Sequence, residues 1–284
     1  MQEAQRSTAV KRAIRRRTEH LAEALRPPGV KPKRKVLLPD RSSGNRLVPS
    51  PVFVLSSVRS GSTLLRVLLN SHSQIRAPHE LHLRTLEVRP SREYTEGIME
   101  ALGLSRKELE HLLWDRVLHH ELERSGKRIV VDKTPANALI WRRISSAWPQ
   151  ARYIFLQRHP QSVVESVLNR RKGAEKDAVV KEVFNYVNGV EQARQRLKGL
   201  AVRYEDLTAD PEVQTKRICE YLDVPWEPSM LDYGAQDHGP IKPVFGDWSA
   251  NIKSGQVQKA RPLPGVDEID PQLQEICKLW GYLD

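Results

Sequence analysis

Cysteine is nearly missing from this chain: Cys219 and Cys277 are the two in 284 residues, far apart and with no CxxC spacing. That excludes a disulfide scaffold or a zinc ribbon and fits a reducing compartment. No stretch approaches the roughly 18 apolar residues of a membrane span. The first residues also lack the apolar core of a signal peptide, so a cytoplasmic protein is expected. No cluster has metal-ligand spacing, and no metal is expected. Repeats are absent, and low-complexity sequence is confined to the first 49 residues. Negative charge is in short supply: 35 Asp+Glu stand against 46 Lys+Arg, a net of +11. Apolar material is not short. At 39% hydrophobic the chain can bury a sizeable core, which excludes wholesale disorder, and its length suits one large α/β domain.

The positive excess taken alone points toward nucleic acid, but its location argues otherwise. Residues 1–49 hold thirteen of the basic residues and four of the acids, leaving 33 and 31 for the rest, a net of only +2. The chain therefore divides into a basic arm and linker, 1–49, and a nearly balanced domain, 50–284. Within the arm Val10, Ile14, Leu21 and Leu25 recur at near-helical spacing, and Pro27-Pro28-Gly29 ends the pattern. Such an arm is either an electrostatic dock for an anionic partner or a solvated tail.

From about residue 50 short apolar runs alternate with helical patterns. Val52–Ser56, Ile129–Val131, Tyr153–Leu156 and Leu200–Val202 read as buried strands. Ser105 followed by Glu108 reads as a capping box, opening a helix with Leu109, Leu112, Leu113 and Val117. Asp210-Pro211 opens another, with Asp as cap and Pro in the first turn. Continuous apolar strands between helices imply a mainly parallel sheet covered on both faces.

Two segments carry anion-binding chemistry. The first strand runs into Val58-Arg59-Ser60-Gly61-Ser62-Thr63-Leu64 and then a helix. Strand, small-residue turn and helix aim backbone N–H groups at an anion, and Gly61 permits close approach. Ser60, Ser62 and Thr63 add hydroxyls, and Arg59 adds a charge. Against the GxxxxGKS/T loop of nucleotide hydrolases, Ser62 occupies the place of the lysine that grips phosphates. The second segment follows Tyr153–Leu156. There Arg158 ends a strand, and Ser162, Ser166 and Arg170 fall four apart on the next helix. Arg158, Ser166 and Arg170 make a compact receptor for a second phosphate. Two anion sites at neighbouring strand ends suit a nucleotide phosphorylated at both its 5′ and 3′ ends.

These motifs resemble those of sulfotransferases that use 3′-phosphoadenylyl sulfate (PAPS). Val58 to Leu64 is similar to the family's 5′-phosphosulfate loop, and Arg158 through Ser166 to its 3′-phosphate motif. Arg203-Tyr204-Glu205-Asp206-Leu207 resembles a third block. The similarity runs from about Pro51 onward and points to the branch of protein-tyrosine sulfotransferases and bacterial natural-product enzymes. It implies a P-loop-like three-layer α/β sandwich with a central, mainly parallel sheet flanked by helices. It also implies that Glu80 is the general base, with Lys133 and Arg59 stabilising the transferring group. His82 is the alternative base: an extended segment would put it on the face of Glu80 and His79 on the opposite one. Both histidines are candidates for acceptor binding. The nucleotide contacts would include Leu64 and Tyr204, and Ser249 and Lys253 in a late covering segment, Gly246 to Gly255, that holds Trp248.

The implied reaction moves a sulfuryl group from PAPS to a hydroxyl, leaving adenosine 3′,5′-bisphosphate (PAP), without a metal. Three rivals stand beside it. A P-loop kinase predicts magnesium-dependent ATP turnover and is disfavoured by Ser62. A nucleic-acid binder predicts salt-dependent affinity that vanishes with residues 1–49. A nucleotide-binding but inactive relative is opposed by the full set of Arg59, Glu80, Lys133 and Arg158. Residues 84–125 and 232–262 are expected to shape the pocket for the acceptor, a small molecule or a carrier-bound hydroxyl. Nothing in the sequence identifies it, nor the oligomeric state.

Overall fold

The computed structural model describes residues 46–239 and 250–284. The basic arm up to residue 45, with Trp248 and Ser249, lies outside the described residues. Five strands form one sheet: β1 (Val52–Ser56), β2 (Ile75–Arg76), β3 (Ile129–Asp132), β4 (Arg152–Gln157) and β5 (Gly199–Arg203). Their order is β2-β3-β1-β4-β5 and every pairing is parallel. The helices that matter here are, in chain order, α1 (Ser62–Asn70), α2 (Glu93–Ala101), α3 (Arg106–Ser125), α4 (Trp141–Ala147), α5 (Pro160–Arg170), α6 (Lys176–Arg194), α7 (Tyr204–Ala209), α8 (Pro211–Leu222), α9 (Ala250–Lys253) and α10 (Pro271–Leu279).

The strands read as unbroken apolar runs because both faces of the sheet are covered. Phe53, Leu55, Val130, Tyr153 and Phe155 face one core, shared with Trp114, Trp148, Val163, Val187 and Leu273 from α3, α5, α6, α10 and the turn after α4. Val52, Val54, Val131, Ile154 and Leu156 face the other, packed by Leu65, Leu68, Leu207 and Ile218 from α1, α7 and α8. This is a three-layer α/β sandwich. Each fully buried Val, Leu or Ile contributes about 1.5–3 kcal/mol, so the sheet is held from both sides. The four anticipated strands are present, three of them longer by one or two residues. The fifth, β2, has two residues, too short for periodicity to reveal.

Helix α3 departs from the expected pattern. Ser105 does cap it, accepting the Glu108 N–H at 3.2 Å. The inward face, however, is Trp114 and Leu118 with His111, Glu110 and Asp115, while Leu112 and Leu113 are exposed. The buried polar groups are paired, which makes their burial tolerable. Glu110 meets Arg143. Asp115 accepts the backbone N–H groups of Leu47 (2.6 Å) and Val48 (3.1 Å). Pro160 opens α5 and Asp210 caps α8 by accepting the Val213 N–H at 3.0 Å, both as the sequence implies.

The strand order sets the location of the site. From β1 the chain crosses to the edge strand β2 and returns inward to β3, then passes to the other side of β1 for β4 and β5. The carboxyl ends of β1, β3 and β4 therefore meet at a topological switch point, where open α/β sheets bind ligands.

Candidate active site

The loop after β1 is shaped by two left-handed positions, Arg59 (φ 57°) and Gly61 (φ 79°). Gly61 directly precedes α1. A Cβ there would fall well under 3.0 Å from two ring carbons of Tyr204. Glycine is thus required twice, by its backbone angle and by the aromatic ring lying on it. Ser60 turns its hydroxyl to the Ser57 carbonyl inside the loop. Ser62, Thr63 and Leu64 are buried in the first turn of α1, whose leading N–H groups have no partner within the helix.

The segment after β4 closes on this loop. Arg158 donates to the Arg59 carbonyl at 2.6 Å, and its guanidinium lies 4.6 Å over the Tyr204 ring. Arg59 in turn donates from Nε to Ser166 Oγ at 3.2 Å. The structure thus gathers Arg59, Gly61, Arg158, Ser166 and Tyr204 from three separate segments. Burial lowers the Arg158 pKa, as do the charges of Arg59 and Arg261, while Tyr204 and Glu205 oppose the shift. A pocket that destabilises its own cations favours an anionic ligand. Arg170 stands exposed one turn beyond Ser166.

A second cluster forms at the end of β3. Lys133 is 1% exposed, and its ammonium contacts Glu80 Oε1. The other carboxylate oxygen of Glu80 lies 3.4 Å from His82 Nε2. The Glu80 side chain is 14% exposed and that of His82 49%, so the carboxylate sits at the boundary between core and solvent. Burial pushes the Lys133 pKa below the usual lysine range, and Glu80 resists that. Asp132, wholly buried before it, accepts from Thr134 Oγ1 and Asn137 Nδ2 at 2.8 Å each. Thr134 also accepts the His82 backbone N–H at 3.3 Å, tying the Glu80 segment to the β3 loop. A carboxylate positioned between a cation and solvent can take a proton from an incoming hydroxyl, and the cation can then serve developing negative charge.

His79 approaches the 239 backbone, where a Cβ on Gly239 would meet its Nε2 at 3.1 Å. Lys253, at the end of α9, lines with Val67, Tyr233 and His238 a cavity of about 200 Å³. These are different residues from those around Arg158.

Two cations escaped the sequence reading. Arg66 is 1% exposed in α1 and donates to the Ala77 carbonyl at 3.2 Å. Burial, with the Arg76 charge, lowers its pKa to about 10, and Glu80 pulls the other way. Its signal was a lone arginine inside the apolar run Leu64-Leu65-Arg66-Val67-Leu68. The other is Arg261, whose charge acts on Arg158. The adjacent Ala260 N–H donates to Thr208 Oγ1 at 3.2 Å, docking this stretch on α7. Among the described residues, the stretch around Ala260 is thus a late segment tied both to α7 and to Arg158. Among the described residues, no group of His, Cys, Asp and Glu is placed to hold a metal, and no helix is long and apolar enough to cross a membrane.

Comparison with known proteins supplies the context. A family model described as "Sulfotransferase family" matches residues 51–228. A protein-tyrosine sulfotransferase of Drosophila melanogaster is 23% identical over 208 residues, covering 67% of this chain and 41% of that protein. A sulfotransferase domain from the curacin biosynthetic pathway superposes with a TM-score of 0.60 at 26% identity, covering 84% of this chain and 99% of that one. A sulfotransferase domain from the Synechococcus PCC 7002 olefin synthase is 24% identical with a TM-score of 0.62, covering 87% and 98%, and shares the fold. The chain spans about half the length of the curated relatives it matches.

Proposed function

This chain belongs to the sulfotransferase family, and from that premise we propose that it transfers a sulfuryl group from PAPS to the hydroxyl of a small-molecule or carrier-bound acceptor. The single observation that carries the reading is the Lys133–Glu80 contact at the end of β3, a carboxylate beside a buried cation at the carboxyl edge of the sheet.

In this reading the β1 loop and the first N–H groups of α1 hold the 5′-phosphosulfate. Arg158 and Ser166 take the 3′-phosphate, with Arg261 adding charge. Gly61, where a side chain would strike Tyr204, lets that ring close against the loop. Glu80 accepts the acceptor's proton as the new oxygen–sulfur bond forms. Lys133 leaves Glu80 to meet the sulfuryl oxygens and the bridging oxygen as the sulfur–oxygen bond to phosphate breaks, and Arg59 assists the departing phosphate. PAP and the sulfate ester are the products. Positioning and charge stabilisation account for the catalysis, as in phosphoryl transfer.

The acceptor class draws on the similarity to a domain from the curacin pathway. We extend the proposal to domain organisation: residues 50–284 form the catalytic unit and the basic arm, 1–49, serves docking to an acidic partner. Mass spectrometry of PAPS reactions with phenols, sugars, lipid alcohols, tyrosine peptides and carrier-bound hydroxyls tests the activity. One acceptor is expected to gain a sulfuryl group. PAP, and not ATP, is expected to raise the melting temperature. A protein that binds no PAP refutes the reading.

A further inference from the structure

We propose that Tyr282 is a positioning residue for the nucleotide site, acting through Glu205 on the turn that carries Arg158. The inference rests on the reading that Arg158 receives the 3′-phosphate. One carboxylate makes the link. Glu205 Oε2 accepts the Tyr282 hydroxyl at 2.6 Å, and Oε1 accepts the backbone N–H of His159 at 3.2 Å. His159 directly follows Arg158, and Glu205 directly follows Tyr204, the ring beneath the Arg158 guanidinium. Residue 282 thereby reaches both walls of the site from a segment 77 positions away.

Tyr282 is itself held firmly. Gly281 (φ 70°) ends α10 in the left-handed region, and the Tyr282 N–H returns to the Cys277 carbonyl at 2.8 Å. The preceding Trp280 donates to buried Glu191 at 2.9 Å. The Tyr282 ring meets the His159 ring edge-on at 4.9 Å, and the Arg203 guanidinium covers it at 4.1 Å. Burial and the neighbouring Glu205 charge raise the phenol's pKa, so it remains a donor.

The arrangement matters because Glu205 is an anion beside a site meant for an anion, and Arg158 feels its charge. With both oxygens engaged, the carboxylate braces the backbone. Deprived of the phenol, one oxygen is free to compete with phosphate for the Arg158 cation. A hydrogen bond to a charged group that is lost in this way predicts a change confined to ligands carrying the 3′-phosphate.

The test is calorimetric titration of PAP and of adenosine 5′-monophosphate, which lacks the 3′-phosphate, into wild type, Tyr282→Phe and Tyr282→Phe/Glu205→Gln. Phenylalanine keeps the ring contacts, so the melting temperature is expected to stay within a few degrees. Tyr282→Phe is expected to weaken PAP by about 5- to 20-fold and leave the monophosphate unchanged. The KM for PAPS should rise while kcat holds. Neutralising the freed carboxylate in the double variant is expected to restore PAP affinity to within about threefold of wild type. Unchanged PAP affinity in Tyr282→Phe overturns the inference, and so does an equal loss for both ligands, which marks general loosening. A wild type that binds PAP no tighter than the monophosphate removes the 3′-phosphate reading itself, and the inference with it.

Discussion

Replacing Gly61 by alanine separates two demands that the loop makes on one position. The backbone sits at φ 79°, where a residue bearing Cβ costs about 1–2 kcal/mol. The new methyl would also fall well under 3.0 Å from Cδ2 and Cε2 of Tyr204. Overpacking of that kind costs about 1–3 kcal/mol, so Gly61→Ala is expected to lose roughly 2–5 kcal/mol of stability in all. The displaced ring would also uncouple from the Arg158 guanidinium, now 4.6 Å above it. PAP affinity should therefore fall by more than stability alone explains. Adding Tyr204→Ala removes the collision and leaves the backbone strain. The double variant is then expected to be more stable than the sum of the single losses by about 1–3 kcal/mol. Urea unfolding of wild type, both single variants and the double variant, with PAP titrations on each, measures the cycle. Additivity to within about 0.5 kcal/mol would refute a ring seated on the glycine.

Glu80→Gln is expected to lower kcat by about 10²- to 10⁴-fold. PAP affinity should hold or rise, because Lys133 is released from its carboxylate. Single-turnover rates and calorimetry read the two effects, and a kcat within tenfold of wild type dismisses Glu80 as base. Lys133→Met should lower kcat by about 10²- to 10³-fold through loss of a charged donor to the sulfuryl oxygens. A KM effect alone would assign Lys133 to binding. His111 gives a pH prediction. Burial, followed by the charges of Arg143 and Arg46, lowers its pKa from 6.5 to about 4. As pH falls through that window the unfolded chain takes up a proton that the folded chain refuses, so stability declines. Denaturant midpoints from pH 7 to 4 should show that decline in wild type and a smaller one in His111→Gln. Equal slopes would assign the acid sensitivity elsewhere.

Much of the fold was legible because the signals are local. A strand buried on both faces is an apolar run, Pro160 and Asp210 mark helix starts, and the β1 loop declares itself through Gly61 and its hydroxyl neighbours. Two-residue β2 left no periodicity to find. Helix α3 misled because Leu112 and Leu113 look like core while Asp115 and Glu110 look like surface. Their partners, the backbone of Leu47 and Val48 and the Arg143 guanidinium, come from distant segments. Arg261 was passed over for the same reason, since nothing within its own stretch says that it folds back toward Arg158.

The sequence by itself determined the layers and the cations at strand ends, because each follows from patterns a few residues long, whereas the strand order that sets the switch point came from the fold. Tertiary structure alone decided that Lys133 rests on Glu80, that Tyr204 lies on Gly61 and that Tyr282 braces the Arg158 turn. The first and last of these contacts join residues 53 and 77 positions apart. They depend on how helices and loops pack over a finished sheet, and no local pattern encodes that.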